Sequence, residues 1–179
     1  WLERAHTHGL KLVVMLAVNN SVLCQLALHR ASFGCGDDGA VGRQIQGAKD
    51  LEDYIDARAG GEGQGFYRIV YSSEDARDAI AAGKLAVVLG TEVDTKWGCT
   101  PGAPFCTGGY IQDRVQEYHD MGIRVVYPVH LVDNRFGGAA LYTGLFEVEN
   151  LLVNGSYFDM VACGAPIEWR SDIRQVISD

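Results

Sequence analysis

The chain has 179 residues, a formal net charge of −8 and a pI near 5.0. That balance excludes a nucleic-acid binder, because neutralising phosphates takes clustered Lys and Arg. With 47% hydrophobic and 21% charged residues it is globular material with enough apolar surface for one core, and its apolar runs, such as LKLVVMLAV and KLAVVLG, are far too short to span a bilayer.

The chain opens inside a helix-like stretch, WLERAHTHG, as a mature product or an excerpt of a longer protein would. KLVVMLAV (11–18) follows, β-branched and apolar on both faces, as expected of a strand buried on both sides. DGAVGRQIQGAKDLEDYIDARAGG then places Val41, Ile45, Ala48, Leu51 and Ile55 at helical spacing and stops at Gly60–Gly61. FYRIVYS (66–72) is a second strand. SSEDARDAIAAGK is a helix with Ser72 or Ser73 as N-cap, acidic residues in its first turn and Gly83 as its stop. LAVVLGTEV (85–93) is a third buried strand, YIQDRVQEYHDMG (110–122) a helix closed by Gly, and IRVVYPVHL (123–131) a fourth strand. A Gly-rich loop and a helix near 142–153 come next.

Strand and helix alternate throughout, which is the pattern of a parallel sheet with covering helices. Long loops follow the strands and short Gly turns precede them, as in a (β/α) barrel, whose strand C-terminal ends carry the working loops. A full barrel takes about 250 residues, or about 200 at the least. The expected fold is therefore α/β: a single domain over 1–179, made of parallel βα units that form part of a TIM-type barrel, with about four strands, or about five counting the tail. Half a barrel exposes an edge, which predicts association into a homo-oligomer.

His6 and His8 form the H-x-H pair from which many metal-dependent hydrolases take their first ligands. Gly9 stops the helix and Lys11 opens the strand, so the pair precedes the strand and lies on the stability face of a barrel. A His near a helix C-terminus also complements the macrodipole. The pair is expected to be structural.

None of the five cysteines forms a C-x-x-C pair, which argues against a zinc ribbon or redox motif. Cys24 with Cys35 and Cys99 with Cys106 are local pairs in loops rich in Gly or Pro, and Cys163 is left over. GCTPGAPFC reads as a loop pinned by a disulfide, which favours a secreted or periplasmic location. Free buried thiols and a metal role are the alternatives.

Two strands end in chemically suggestive residues. LAVVLGTEVD delivers Glu92, with Asp94 two positions on and expected on the same side of the chain. A carboxylate at the mouth of an apolar strand is costly unless paired or metal-bound. VVYPVHLVDN delivers His130, with Asp133 and Asn134 in the loop beyond. The plain alternatives are a salt-bridged Glu and a satisfied structural His. Trp97, Phe105, Tyr110, Phe136 and Tyr142 sit in the loops after strands, where they could line a pocket or cover an open edge. GCGDDG lacks the spacing and terminal Glu of a calcium loop and reads as a turn. The chain has no G-x-S-x-G, Walker loop or G-x-G-x-x-G.

AGKLAVVLGTEVD, a helix, then YHDMGIRVVYPVHLVDNRFGG resembles the middle of the membrane (renal) dipeptidase family, within the amidohydrolase-like metal-dependent hydrolases. The resemblance covers roughly residues 68–138. It implies that Glu92 corresponds to the carboxylate bridging two zinc ions and His130 to the histidine that steadies the tetrahedral intermediate. Asp94 is then a candidate second metal ligand and Asn134 a second donor to the developing oxyanion. The sequence departs from the family in having Val93 and Asp94 after the Glu, Val129 before the His, no H-x-D and no histidine after His130. The expectation is a hydrolase of an amide or peptide-like bond in a small-molecule substrate, dependent on a divalent metal, zinc by resemblance, with an incomplete ligand set. The rival is a non-catalytic βα domain that binds a small molecule or a protein.

Overall fold

The strand LAVVLGTEV organises the molecule: β3 (Leu85–Val93) has parallel partners on both of its edges. The structure is a computed structural model and describes residues 1–26, 33–139 and 143–158. Tyr142, Cys163 and the tail in which a fifth strand was expected lie outside the described residues.

Along one edge of β3, β1 (Leu12–Asn19) pairs over its whole length, from Leu12 opposite Ala86 to Asn19 opposite Val93. The other edge is shared end to end, with β2 (Tyr67–Val70) opposite Leu85–Val88 and β4 (Ile123–Tyr127) opposite Leu89–Glu92. A strand has only two hydrogen-bonding edges, so β2 and β4 stand in line rather than side by side. Gly122 makes the junction: its φ is +96°, and a Cβ there would stand 2.7 Å from Tyr71 Cε1. Arg124 Nε donates to the Tyr71 carbonyl at 3.0 Å, tying the two strand ends together.

Helices cover both faces of this sheet. α3 (Asp37–Ala59) and α5 (Gly108–Asp120) pack on one face, where Val41, Ile45 and Tyr118 join Ala17, Val87 and Leu89 in the main core. α4 (Ser73–Ala81) packs on the other, with Ala76 and Ala79 against Val70 and Ala86. The alternation of side chains along β3 sends Leu85, Val87 and Leu89 one way and Ala86 the other, which is why a near-continuous apolar run suits it. The α/β class and the parallel βα units are as expected; the sheet is open, and no strand pair among the described residues closes it into a barrel.

Several expected details change. β1 is buried on one face only, because α3 packs on that face whereas α4, on the other, packs against β2 and β3: Leu12 and Val14 are each 45% exposed, while Ala17 is fully buried. Leu51, placed on the core stripe of α3 by its spacing, is 39% exposed, since the buried side of that helix is Ala40, Val41, Ile45, Ala48 and Asp56. β4 ends at Tyr127, four residues short of the expected strand end at Leu131. Pro128 follows it and has no N–H for the ladder. GCGDDG is the entry to α3, whose first turn begins at Asp37. Cys24 sits on a short helix, α2 (Ser21–Leu26), rather than in a loop.

Both local cysteine pairs are disulfides, Cys24–Cys35 with Cα atoms 5.6 Å apart and Cys99–Cys106 with 5.7 Å. His6 and His8 belong to α1 (Leu2–Thr7) and its cap, as the sequence implied. His6 Nδ1 lies 3.1 Å from the Leu10 carbonyl and its ring stacks on Phe66, while His8 Nδ1 lies 2.8 Å from the Arg4 carbonyl. No helix among the described residues is long and apolar enough to cross a membrane.

Candidate functional site

Three chain segments leave the C-terminal ends of β1, β3 and β4, and a helix returns to meet them. They bring Asn20, Glu92, Asp94 and His130 together with Glu149 of α6 (Gly144–Asn154). In open α/β sheets this is the end at which ligands bind. A cleft of about 630 Å³ opens there; its walls are Pro128, Val129, Leu131, Gly138 and Ala139, and its polar groups come from Glu92, Tyr127 and His130.

Glu92 and Asp94 do different work. Glu92 faces the cleft and makes no hydrogen bond or ion pair with another described residue. Asp94 follows the last residue of β3 and is wholly buried behind the cleft. Its Oδ1 accepts from the Leu131 N–H at 3.0 Å and lies 3.1 Å from His130 Nδ1. Two positions along a chain share a face only while the strand continues, and here the strand has ended. His130 is likewise not on a strand. The loop 128–137 holds it: Asn134 donates both amide hydrogens, to the Pro128 carbonyl at 2.9 Å and the Asp94 carbonyl at 3.1 Å, and accepts from the Phe136 N–H. Asn134 thus braces the loop, with no donor left for a substrate.

The electrostatics follow from this placement. Burial alone would lower the pKa of His130, but Asp94 beside it, with Glu92 and Glu149 further off, raises it above its ordinary 6.5. Glu149 is raised as well, chiefly by burial and then by Asp94, against the Asn20 amide that donates to its Oε1 and against His130. Asp94 Oδ2 is buried with no hydrogen-bond partner among the described residues.

A second charged group lies close by. Lys96, in the 3-10 turn Lys96–Gly98, is 1% exposed, and its Nζ has no hydrogen-bond partner among the described residues. Burial pulls it down to about 8 against Asp37, Asp38 and Glu92, which pull it up. Asp37 is itself engaged, accepting from Asn19 Nδ2 at 2.7 Å and from the Thr95 N–H and hydroxyl at 2.8 and 2.7 Å. The aromatic residues around this turn extend the main core. Trp97 packs edge-on against Tyr118 and Phe136, its carbonyl accepts from Tyr110 Oη at 3.0 Å, and Phe105 packs on Tyr110. None of them lines the cleft.

The expected metal centre can be tested against these donors. Among the described residues no three His, Cys, Asp or Glu side chains gather where they could hold an ion, and a metal takes about three or four protein ligands. Glu92 is free to bind a cation, whereas Asp94 has one oxygen committed to Leu131 and His130. The described residues alone do not make the centre.

Glu149, Asn20 and Lys96 were not singled out from the sequence. Glu149 carries no sequence signal: in GLFEVENLLVN the apolar Leu145, Val148 and Leu152 fall at helical spacing, yet they face outward, while Glu149 and Asn150 are buried. No family model matches the chain, and no curated protein or solved structure matches it.

Proposed function

We propose that this chain is the central portion of a hydrolase acting on an amide or peptide-like bond, metal-dependent in its complete form. The observation that carries the reading is that Glu92 and His130 line one cleft at the C-terminal end of the sheet, with Asp94 3.1 Å behind His130 Nδ1. The Asp94 carboxylate beside Nδ1 favours the charged form of the imidazole, which leaves Nε2 as a donor. A protonated imidazole directed at a scissile carbonyl stabilises the negative charge that develops on oxygen. The resemblance to membrane dipeptidases supports the same role for His130. Glu92 is the carboxylate that meets a cation, and any divalent metal would need further donors from outside the described residues or from a second copy. The two disulfides support a secreted or periplasmic setting, and the outer edge of β1, with which no strand among the described residues pairs, supports self-association.

A second reading, a non-catalytic βα domain that binds a small molecule or protein, is favoured by the lack of a gathered ligand set among the described residues. Turnover of a dipeptide and amino-acid-amide panel, with and without added zinc, separates the two. The hydrolase reading predicts that Glu92→Gln lowers kcat/KM by about 100-fold or more. Absence of turnover in the wild type, with ligand binding unchanged in Glu92→Gln, supports the binding domain instead.

A further inference from the structure

α4 has only nine residues and covers Val70 and Ala86, while Leu12 of β1, on the same face of the sheet as Ala86, stays half exposed. The result is a groove of about 520 Å³ between helix and sheet. Its floor crosses the strands, from Leu12 of β1 over Val88 of β3 to Val70 and Val125 at the junction of β2 and β4, and Ala76 and Ile80 of α4 form a wall. With neighbouring strands about 4.8 Å apart, this floor is about 10 Å long. Its charges are gathered at one end. Arg124 donates from Nε to the Tyr71 carbonyl at 3.0 Å, and Arg77 from Nη1 to the Ser73 carbonyl at 3.3 Å. Two residues of chain span at most about 7 Å, so the two guanidiniums are tethered close together. Nη1 of Arg124 also donates to the His119 and Ile123 carbonyls and Nη1 of Arg77 to Ser73 Oγ, which leaves Nη2 of both without a partner among the described residues. Neither arginine pairs with a described carboxylate. No Asp or Glu among the described residues lines the groove, and Asp75, close by on α4, spends an oxygen on the Tyr71 N–H at 3.2 Å.

We propose that this groove binds a free medium-chain fatty carboxylate, with its head group on Arg77 and Arg124 and its alkyl chain laid across the sheet towards Leu12. The planar fork of a guanidinium matches a carboxylate, and charge-assisted bonds of this kind are the strong ones. The whole chain carries −8, so two arginines without acidic partners at the end of an apolar floor are a local exception, and they define the head group. The floor beyond them rewards only apolar surface, at about fourfold in affinity for each methylene it buries. Its volume lies in the range of pockets that enclose one small ligand, which suits a single free chain. The groove shares no lining residue with the cleft that holds Glu92 and His130, so the site stands apart from the hydrolase reading.

Calorimetric titration at neutral pH with octanoate, hexanoate, octanol and octylamine tests this, with backbone amide shifts to locate the bound chain. Octanoate should bind about tenfold tighter than hexanoate and about fivefold tighter than octanol, with octylamine weakest. Arg77 is exposed and bonded only within its own helix, so Arg77→Gln keeps the fold; it should weaken octanoate about threefold and leave octanol unchanged. Leu12→Gln, at the far end of the floor, should weaken both about threefold. The largest amide shifts with octanoate should fall on Val70, Tyr71, Ala76, Val88 and Val125. Equal binding of octanoate and octanol, an octanoate affinity that ignores Arg77→Gln, or shifts centred elsewhere overturns the proposal. Groove signals that respond to protein concentration and not to octanoate would mean that a second copy covers this face, which overturns it as well.

Discussion

Lys96 shows how much a single side chain can hide. Nothing in TKWGC distinguishes it from a surface lysine, yet it is buried with no hydrogen-bond partner among the described residues. Its fall from 10.5 to about 8 corresponds to about 3 kcal/mol against the charged form. The unfolded chain keeps this proton up to about pH 10.5, whereas the folded chain keeps it only up to about 8. Between those values the unfolded state binds more protons, so stability from this group rises with pH across the window and the penalty is fully present below it. Lys96→Met should therefore stabilise the protein by about 1–3 kcal/mol at pH 7, with the gain fading towards pH 10.5. Urea unfolding at the two pH values measures it; a less stable Met variant at pH 7 would show that the ammonium has a role in holding Asp37, Asp38 and Glu92 together.

The same scale sets what could be read in advance. Glu92 and His130 were visible as polar residues at the ends of apolar runs, and the structure brings them to one cleft. Asp94, expected beside Glu92, lies just past the end of β3, where it is engaged by Leu131 and stands against His130. Asn134 looked like a free donor because its three partners, Pro128, Asp94 and Phe136, include one 40 residues away in sequence.

Elements were more legible than their faces. The strands at 12, 67, 85 and 123 and the helices between them follow from apolar runs, caps and glycine stops, and Ser72 does cap α4 by accepting from the Asp75 N–H at 3.0 Å. Which edge a strand presents did not follow, because that is decided by distant side chains. Gln44 of α3 treats the C-terminal part of β1 as a neighbouring strand would: its amide accepts from the Val18 N–H at 3.2 Å and donates to the Val18 carbonyl at 2.8 Å. Glu52 of the same helix accepts from the Ile69 N–H of β2 at 2.9 Å. One helix thus blunts two strands with two polar side chains. Gln44→Ala should cost about 1 kcal/mol in urea unfolding, and light scattering should show a higher mass at matched concentration as the freed Val18 edge becomes available for pairing. An unchanged mass with an unchanged midpoint would mean that Gln44 does not guard the edge.

At the scale of the molecule, the repeating βα pattern indicated the class but not the arrangement. Sequential apolar runs suggested strands side by side around a barrel. The in-line placement of β2 and β4 depends on the length of β2, only four residues, and on Gly122 letting Tyr71 approach. Neither is a feature of periodicity. What the sheet does preserve is polarity: all its strands are parallel, so the segments carrying Asn20, Glu92, Asp94 and His130 leave from one end, and α6 returns Glu149 to them. The central claim is that this end is where the protein works. Other grooves among the described residues compete with it, such as one lined by Leu51, Tyr54, Arg58 and Phe66 and one between α2 and α6. Backbone amide shifts of the labelled protein, followed by NMR during titration with L-alaninamide and its N-acetyl derivative, decide among them. The account predicts that the largest changes fall on Glu92, Tyr127, Val129, His130, Leu131, Gly138 and Ala139. Changes centred on either of the other grooves, with those residues unmoved, would contradict it.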